Sequence, residues 1–324
     1  MFRRTLMHGL LGASAAAPFA MPALAQAPRP STTRIVIPFA AGGPIDLIGR
    51  LLAERLGANL GGAFIVENRP GGNGSVAGQY VFRAPPDGSV LYFGAVSTFC
   101  ITPNLEANLP FDPRGFTPVT RVVVNGAGLA INAAIPARTV PELIAWSRAR
   151  GQPLKMASNG VGSIAHAWLE LFRRASGLDV LHVPYGGAGP ALIALSSGEV
   201  DASFADLLVQ LPLVRDGRAR VLGIVGRERH PAAPDLPTIA EQGVTGVDGL
   251  SWSGIVAPPE TPLAVRTMLA QAVAHALAER AIGERLMTFG SAPATMTPAE
   301  FGHYLEEETA FWARVIREAG ITIA

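Results

Sequence analysis

The chain has 324 residues, of which 16% are charged, with a formal net charge of +1 and a single cysteine, Cys100. A nearly neutral chain gives no sign of a nucleic-acid partner, and one cysteine excludes an internal disulfide and a thiolate metal site. A chain of this length exceeds what one hydrophobic core usually holds, so two lobes are expected.

The first 25 residues have the pattern of an export signal. Arg3 and Arg4 precede an apolar, small-residue run at 9–24, and Ala23–Ala25 supplies the small residues that a signal peptidase reads. Cleavage before Gln26 is therefore expected, which removes two arginines and changes the net charge from +1 to −1. The sequence predicts a periplasmic protein.

This segment has an alternative interpretation, and its export route is open. A membrane anchor is disfavoured, because the apolar run is short for a span and is interrupted by Pro18 and Pro22. The export route stays open, since Arg3-Arg4 resembles a twin-arginine signal but no Ser or Thr precedes the pair. No cysteine stands directly after the signal, which removes a lipid anchor.

The mature chain alternates strand and helix patterns. Arg34–Pro38 is a continuous apolar strand, and Ile45, Ile48, Leu52 and Leu56 then recur at helical spacing. Further strands are predicted at Phe64–Val66, Val90–Phe93, Val122–Ile131 (one long strand interrupted by glycine), Lys155–Ala157, Val180–Val183, Val200–Phe204 and Arg220–Val225.

Helix starts are marked by capping residues. Thr139–Glu142 reads as a capping box, Ser163 begins a helix that ends near Ser176, and Thr261-Pro262 and Thr297–Glu300 begin two more. In the last helix an apolar stripe predicts core contacts rather than a ligand site: Phe301, Tyr304, Leu305, Trp312, Val315 and Ile316.

This alternation predicts an α/β fold whose mostly parallel sheets are flanked by helices. Ligands of such folds bind outside the carboxyl ends of the strands. The loops that follow the strands are therefore the segments where a site is expected.

Three glycine-rich loops follow predicted strands: Ala40–Pro44, Ser158–Ser163 and Tyr185–Pro190. Glycine allows close backbone approach, and a helix start offers unpaired N–H groups and partial positive charge. Such a loop binds an anion without Arg or Lys. Each loop alone is typical of a structural turn, whereas three at strand ends favour one shared binding cleft.

Enzyme interpretations find little support in the same residues. No nucleophile elbow, zinc-protease motif or phosphate-binding loop is present. The pattern Gly160-x-Gly162-x-x-Ala165 partly resembles a dinucleotide fingerprint, but Asp179 precedes the next strand instead of ending it. No cofactor is therefore expected.

The histidines are candidates for catalytic or metal-binding groups. Ser163 and His166 lie on one helix without an acidic partner, which favours capping or ligand contact over nucleophilic catalysis. His182 lies in an apolar strand and is expected to be a hydrogen-bonded core residue. The six histidines have no paired metal-ligand spacing, so neither a catalytic residue nor a metal site is predicted.

Residues from about Ser31 to the end resemble the Bug-type receptors, the periplasmic solute-binding components of tripartite tricarboxylate transporters. The segments that carry the resemblance are Ile37–Gly43 with Asp46, Val66–Gly72, Ala84–Gly88, Ile135–Leu143, His182–Tyr185 and Leu236–Glu241. It covers nearly the whole mature chain.

The resemblance implies a two-lobed periplasmic-binding-protein fold, type II like, with the ligand cleft between the lobes. It implies a first lobe of 26–124 plus 225–324 and a second lobe of 125–224. It also implies a small carboxylate ligand, integral-membrane transporter subunits as partners, and a monomer. The ligand-binding residues it implies are Ala41, Gly42, Gly43, Pro44, Ile45, Asp46, Ser97, Thr98, Ser158, Ser163, His166, Gly186, Gly187, Ala188 and Asp206.

Two departures from the family pattern bear on the ligand. Similar proteins commonly have Thr where this chain has Ile45, and Lys where it has Gly186. The loss of a hydroxyl and a cation makes a less polar, even aromatic, monocarboxylate an alternative to a citrate- or aspartate-like ligand. A sensor that presents its ligand to a signalling partner, and an exported enzyme, are the alternative functions. For Asp206 the structural alternative is a helix cap or turn residue.

Overall fold

The computed structural model describes residues 30–106 and 108–322, which form two β-sheets surrounded by helices. The predicted export signal at 1–25 lies outside these residues. Within the described ranges, no helix combines the length and the apolar character that crossing a membrane requires.

The strands are β1 (Thr32–Ile37), β2 (Ala63–Asn68), β3 (Val90–Ala95), β4 (Thr117–Asn125), β5 (Ala127–Asn132), β6 (Leu154–Ser158), β7 (Val180–Pro184), β8 (Ala202–Asp206), β9 (Ala219–Ile224), β10 (Ser251–Ala257) and β11 (Ser291–Pro293). The helices are α1 (Pro44–Leu60), α2 (Ser75–Phe82), α3 (Thr102–Leu105), α4 (Val140–Arg150), α5 (Ile164–Ser176), α6 (Ala188–Ser197), α7 (Leu207–Arg215), α8 (Leu263–Ala278), α9 (Arg280–Thr288) and α10 (Pro298–Ala319). A π-helical turn lies at Ser97–Ile101.

The first sheet has the strand order β11-β4-β10-β3-β1-β2, and the second has β7-β6-β8-β5-β9. In the first sheet β1 to β4 run in one direction and β10 and β11 run against them. In the second sheet β5 alone is reversed. Most strands of each sheet are thus co-directional, as predicted, but β10 and β5 lie inside the sheets and make their neighbours antiparallel.

The first strand and helix form as the apolar pattern predicts. Ile35 and Ile37 of β1 are fully buried, and they share a core cluster with Ile48, Leu52 and Leu56 of α1. The helical spacing of the α1 residues therefore covers one face of the first sheet. This packing fixes where α1 begins relative to the end of β1.

The predicted single strand Val122–Ile131 is wrong, because Gly126 divides it into β4 of the first sheet and β5 of the second. The Gly126 N–H donates to Gly290 O, and its carbonyl accepts from Leu207 N, each at 2.7 Å. A Cβ at this position would lie 2.7 Å from Leu207 Cδ1 and 3.1 Å from the His230 ring. A side chain at this position would therefore force Leu207 and the His230 ring to shift where the chain crosses between the sheets.

Strand β10 was missed by the sequence analysis although every one of its residues is buried. It lies between β3 and β4 and is antiparallel to both. Serines and a glycine interrupt its apolar residues, so neither alternation nor a continuous apolar run marks it.

Helix α10 connects the cores around the two sheets. As predicted, Phe301, Trp312, Val315 and Ile316 are buried, and Tyr304 and Leu305 pack against the same cluster. That cluster also contains Trp168 of α5 and Phe204 of β8. An ion pair of 2.7 Å joins Arg174 of α5 to Glu318 of α10. The apolar core is therefore continuous from one sheet to the other.

The predicted helix starts are confirmed with one change of detail. At α10, Thr297 and Glu300 form the complete reciprocal capping box. At α4, Thr139 accepts from Glu142 N, but the Glu142 carboxylate accepts from Arg138 N, one residue before the expected donor.

Candidate functional site

The loops predicted to bind a ligand all lie at strand ends, but they fall into separate groups. The loop at 40–44 joins β1 to α1, whereas those at 158–163 and 185–190 follow β6 and β7 of the second sheet. Tyr185 N donates to Ser158 O at 3.0 Å, which places the second and third loops side by side. Among the described residues no hydrogen bond joins the first loop to these two.

Asp46 orders the first loop from inside the helix. It is 2% exposed, and its Oδ2 accepts from Gly42 N at 2.8 Å and from Arg50 Nε at 2.9 Å. Its Oδ1 accepts from Asn68 Nδ2 at 2.9 Å, and the same amide donates to Phe39 O. Gly42 has φ +84°, a conformation that favours glycine. Asp46 thus holds the turn through its hydrogen bond to the backbone of Gly42. It also ties the turn to strand β2 through its hydrogen bond from Asn68.

The charge of Asp46 is stabilised by these donors. Burial alone would raise the pKa of its carboxyl, but the hydrogen bonds from Arg50, Gly42 N and Asn68 bring the pKa below its ordinary value. Arg50, the cation beside the loop, is already paired with Asp46 and also donates to Asn68. The positive charge of Arg50 therefore mainly stabilises the Asp46 carboxylate that holds the loop.

The start of α1 carries no side-chain cap. Gly43 is the N-cap residue with φ −77° and ψ 171°, and Pro44 follows at the first helical position. Ala41 and Gly42 are exposed, while the Ile45 side chain is buried in the core of the first sheet. The first N–H groups of a helix have no partner within it, so this start offers backbone donors beside two exposed residues.

The segment after β3 contributes one engaged hydroxyl and one available hydroxyl. Thr98 Oγ1 donates to Ala95 O at 2.8 Å and accepts from Ala95 N at 3.1 Å, which closes the turn at the strand end. Ser97 is partly exposed, and its hydroxyl has no hydrogen-bond partner among the described residues. Only Ser97 has a free side-chain group here.

The second loop is closed by its own side chains. Ser163 caps α5 by accepting from His166 N at 3.2 Å, and its hydroxyl donates to Gly160 O at 2.7 Å. Ser158 is fully buried, with its Oγ 2.6 Å from His182 Nε2 and 3.1 Å from Gly160 O. Neither serine hydroxyl faces the imidazole of His166, so the pair considered as nucleophile and base is not formed.

Two imidazoles stack beneath this loop. The rings of His166 and His182 are 4.0 Å apart at 18°, and Gly162 N donates to His166 Nδ1 at 3.2 Å. Because Nδ1 accepts, the proton of neutral His166 lies on Nε2, which has no partner among the described residues. Burial lowers the pKa of His166, and burial together with the neighbouring ring lowers the pKa of His182 to about 4. Both rings are neutral at neutral pH.

The third loop is open. Gly187 is the N-cap of α6 with φ 142°, and no side chain caps this helix either. A Cβ added at Gly186, Gly187 or Gly189 would meet no atom within 4 Å. Ala188 is the first residue of α6. The loop contains no cation, and its one polar side chain, Tyr185, donates through its hydroxyl to Glu199 Oε1 at 2.8 Å, so the polar groups left free are those of the backbone.

Asp206 ends β8 at the crossing between the sheets. It occupies the N-cap position of α7, but its side chain makes no capping bond. Its Oδ1 is buried and has no hydrogen-bond partner. Burial raises the pKa of the carboxyl to about 6, while the nearby Ser251 hydroxyl acts in the opposite direction. The helix cap that was the structural alternative for this residue is therefore absent.

Sequence reasoning missed several supporting residues. Asn68 ends β2 and ties the first loop to the sheet, although it was noted only within a family motif. Asn125, Ser251 and Ser291 form a buried polar row where β4, β10 and β11 meet at the crossing. Asn125 could have been identified from the sequence, because it is a polar residue directly before Gly126, where the strand ends.

Other features of the described residues do not coincide with these loops. No group of three or more His, Cys, Asp or Glu side chains in the described ranges could hold a metal ion. A cavity of about 1180 Å³ between α10 and the segment 103–118 contains none of the predicted ligand residues. A second cavity of about 420 Å³ lies behind the crossing, beside His230 and Glu308.

Comparison with known proteins identifies a family. The sequence pattern of the tripartite tricarboxylate transporter family receptors matches residues 48–321. The protein BugT of Bordetella pertussis is 29% identical over 289 residues, which cover 89% of each chain.

Two solved structures of other proteins are similar to this chain. A protein of R. palustris, solved with adipate, is 32% identical with a TM-score of 0.82, over 90% of this chain and 98% of that one. MatC of Rhodopseudomonas palustris, solved with bound malate, is 31% identical with a TM-score of 0.75, over 88% and 98%.

Proposed function

This chain belongs to the tripartite tricarboxylate transporter receptor family, and we propose that it captures a small carboxylate in the periplasm and presents it to integral-membrane transporter subunits. The observation that carries the proposal is the pair of uncapped, glycine-lined helix starts, at α1 and α6, in loops without a free cation. Adipate and malate, the ligands of two solved relatives, are both carboxylates.

The ligand would lie between two lobes. The first lobe is residues 26–124 plus 225–324, and the second is 125–224. The strand distribution supports this division, since β1 to β4, β10 and β11 build one sheet and β5 to β9 build the other. The chain then crosses at Gly126 and returns after β9, so the carboxyl ends of the co-directional strands face the junction.

The predicted contact residues divide into those with free groups and those that support them. The first set offers backbone donors, a hydroxyl, an imidazole N–H and a carboxyl: Ala41, Gly43, Ser97, His166, Gly186, Gly187, Ala188 and Asp206. Gly42 belongs to the supporting residues, because its N–H donates to Asp46 Oδ2. The second set has side chains engaged in the loops or the core: Pro44, Ile45, Asp46, Thr98, Ser158 and Ser163. The backbone N–H groups of Ile45 and Asp46 still belong to the helix start.

Binding without catalysis fits these contacts. Ser163 caps a helix, and Ser158, which does lie beside an imidazole, is fully buried. A nucleophile must reach its substrate, so neither serine is placed for covalent chemistry. The protein is proposed to be a monomeric receptor without a cofactor, exported by cleavage before Gln26.

The proposal is tested by ligand-linked stability. A ligand that binds only the native state raises the free energy of unfolding by about 2.7 kcal/mol at a hundredfold excess over Kd. The purified mature protein is heated with di- and tricarboxylates, hydroxy acids and aromatic monocarboxylates, and with neutral sugars and amines as controls. At least one carboxylate should raise Tm by several degrees. A rise with sugars or amines and with no carboxylate would contradict the proposal.

A further inference from the structure

A long groove runs beside helix α10, away from the loops of the candidate site. It has a volume of about 1180 Å³ and lies between α10 and the segment 103–118. Its lining residues on α10 extend from Pro298 to Ala313, a length of about 22 Å at 1.5 Å per residue. Small-molecule pockets usually measure about 300–1000 Å³, whereas a groove of this length holds about seven residues of extended chain. We call it the α10 groove.

The α10 side of the groove allows another backbone to come close. Five of its lining residues recur at intervals of three and four, which places them on one helical face, and four of the five are small: Ala299, Gly302, Glu306, Ala310 and Ala313. Ala299 and Ala310 are exposed. A side chain as small as alanine at Gly302 would already bring its Cβ within 3.4 Å of Pro118 Cγ. The helix surface is therefore left open between the two walls.

The facing segment contributes an apolar lining. Phe111 and Phe116 form a T-shaped pair with ring centroids 5.5 Å apart, and Leu109 lies beside them in the groove. Phe116 is buried, whereas Leu109 and Phe111 are partly exposed. Covering these two side chains with apolar groups of a partner would be favourable.

The charged residues of the groove leave one carboxylate unpaired on each wall. Asp112 accepts from Arg114 Nε and Nη2, each at 3.0 Å, so these two charges offset each other. On α10, Glu306 has no hydrogen bond or ion pair within the described residues. On the facing segment, the Glu106 carboxylate accepts one long hydrogen bond, from Asn73 Nδ2 at 3.4 Å. A cation placed in the groove would meet both carboxylates.

The uncharged polar side chains leave acceptors and not donors. Asn104 Nδ2 donates to Cys100 O at 2.7 Å and to Thr309 O at 3.2 Å, which uses both amide hydrogens. The Thr309 hydroxyl donates to Leu305 O at 2.7 Å. Asn104 Oδ1 has no partner within the part of the chain that the structure describes. The occupant that fits this groove is therefore rich in donors.

We propose that the α10 groove docks an extended segment of a partner protein that carries both apolar and basic side chains. The apolar side chains cover Leu109 and Phe111, and arginine or lysine pairs with Glu106 and Glu306. An acidic segment is repelled by the same carboxylates, and a wholly polar one leaves the apolar lining in water. The inference goes beyond the proposed function, since none of these residues is among the predicted carboxylate contacts.

The test uses synthetic peptides and calorimetry at pH 7.5 in low salt. The first peptide has seven residues and alternates leucine with arginine, the second has glutamate in place of arginine, and the third has serine in place of leucine. The mature protein should bind the first peptide at least about tenfold more tightly than either of the others. Its affinity should fall as sodium chloride is added, because ion pairs at the surface are screened.

Two variants locate the binding. Glu306→Arg should weaken the leucine–arginine peptide by about tenfold or more, and Ala310→Trp, which fills the groove without changing the charge, should do the same. Glu307→Arg is the matched control, because Glu307 is the next residue on α10, is also exposed and lies outside the groove. It should change the affinity by less than about threefold. Circular dichroism and Tm confirm that each variant is folded.

Four outcomes would overturn the inference. Equal losses in Glu306→Arg and Glu307→Arg would mean that binding follows net charge alone, and tight binding of the glutamate peptide would contradict the charge argument. A dimer in light scattering that Glu306→Arg abolishes would assign the groove to a second copy of this chain. Displacement of the peptide by tryptamine at equal affinity would assign it to a small amine. The Tm screen with carboxylates should give the same result for every variant, so this inference and the proposed function fail separately.

Discussion

The loops that begin α5 and α6 look alike in the sequence, since both are glycine-rich and follow a strand, yet they differ in the structure. The α5 loop is closed, because Ser163 caps the helix and bonds to Gly160 O. The α6 loop, like that of α1, begins with an uncapped glycine. A serine at the N-cap satisfies one of the donors that a ligand would otherwise use. The residue at the N-cap, and not the number of glycines, therefore separates a structural loop from a candidate anion site.

The largest expected effect concerns α7, where an aspartate stands at the N-cap position without capping. Burial raises the pKa of Asp206 from 3.8 to about 6, so the folded protein holds the proton more tightly than the unfolded chain. The resulting stabilisation is complete below about pH 4 and is lost as the pH rises through about 6. Asp206→Asn should therefore raise the free energy of unfolding at pH 7.5 by up to about 3 kcal/mol.

This pH effect is measured by urea denaturation without ligand at pH 4, 5, 6 and 7.5. The difference between Asp206→Asn and the unaltered protein should grow across this range, whereas Asp216→Asn should show none. A constant difference at every pH would mean that the carboxyl keeps its ordinary pKa.

The second-largest effect is expected at Asp46, whose side chain holds the open loop before α1. Asp46→Asn removes the charge that Gly42 N, Arg50 and Asn68 stabilise, and should lower the free energy of unfolding by about 1–3 kcal/mol at pH 7. Because the pKa of Asp46 is lowered in the folded state, its contribution exists above about pH 4 and is lost as the pH falls through the folded value. The variant and the unaltered protein should therefore converge on acidification.

Chemical denaturation at pH 7 and pH 3 checks this expectation, with Glu54→Gln, an exposed carboxylate on the same helix, as the matched control. Carboxylate affinity should fall as well, since the turn that presents the α1 start is no longer held. Full stability of Asp46→Asn at pH 7 would show that the loop is ordered by other contacts.

The third-largest effect is expected at Gly43, the uncapped N-cap residue of α1. Gly43 has backbone angles open to any residue, and an added Cβ would lie 3.6 Å from Ala40 O, an ordinary contact. Gly43→Val should therefore fold, while its branched side chain covers the N–H groups and weakens carboxylate binding by about tenfold, or about 1.4 kcal/mol. Calorimetry with Gly283→Val as control, a site with open space on α9, measures the difference. Unchanged affinity would remove the α1 start from the site.

The smallest effect is expected at the closed loop. Ser163→Ala removes the cap of α5 and should lower the free energy of unfolding by about 0.5–2 kcal/mol. Carboxylate affinity should change by less than about threefold, because the donors of this helix face its own loop. Thermal denaturation and calorimetry on the same preparation measure both. A large loss of affinity without a loss of stability would place Ser163 among the ligand contacts.

Local chemistry predicted much of the fold. Apolar periodicity gave β1 and α1, and side-chain caps gave the starts of α4, α5 and α10. The crossing at Gly126 was not predictable, since β4 and β5 are both apolar and the need for glycine comes from Leu207 and His230, distant in sequence. Strand β10 was missed because burial on both faces comes from its place in the sheet and not from its own pattern.

The candidate site was predictable as a set of loops but not as a set of roles. The sequence located Asp46, Thr98 and Ser158 near the loops, but their hydrogen bonds to the turn, to Ala95 and to His182 depend on three-dimensional contacts. The unpartnered oxygen of Asp206 depends in turn on how Asn125, Ser251 and Ser291 use their hydrogens. Which acceptor each of these donors bonds to is determined by the tertiary structure alone.

Helix α10 links the unfolding of the two sheets. Its Trp312 lies in the same apolar cluster as Trp168 of α5 and Trp252 of β10, and Trp168 Nε1 donates to Gly249 O at 2.8 Å. Melting either sheet would expose indole rings that the other sheet's core needs for its own packing. Heat denaturation should therefore proceed in one cooperative transition, with the calorimetric and van't Hoff enthalpies in agreement and tryptophan fluorescence changing together with circular dichroism.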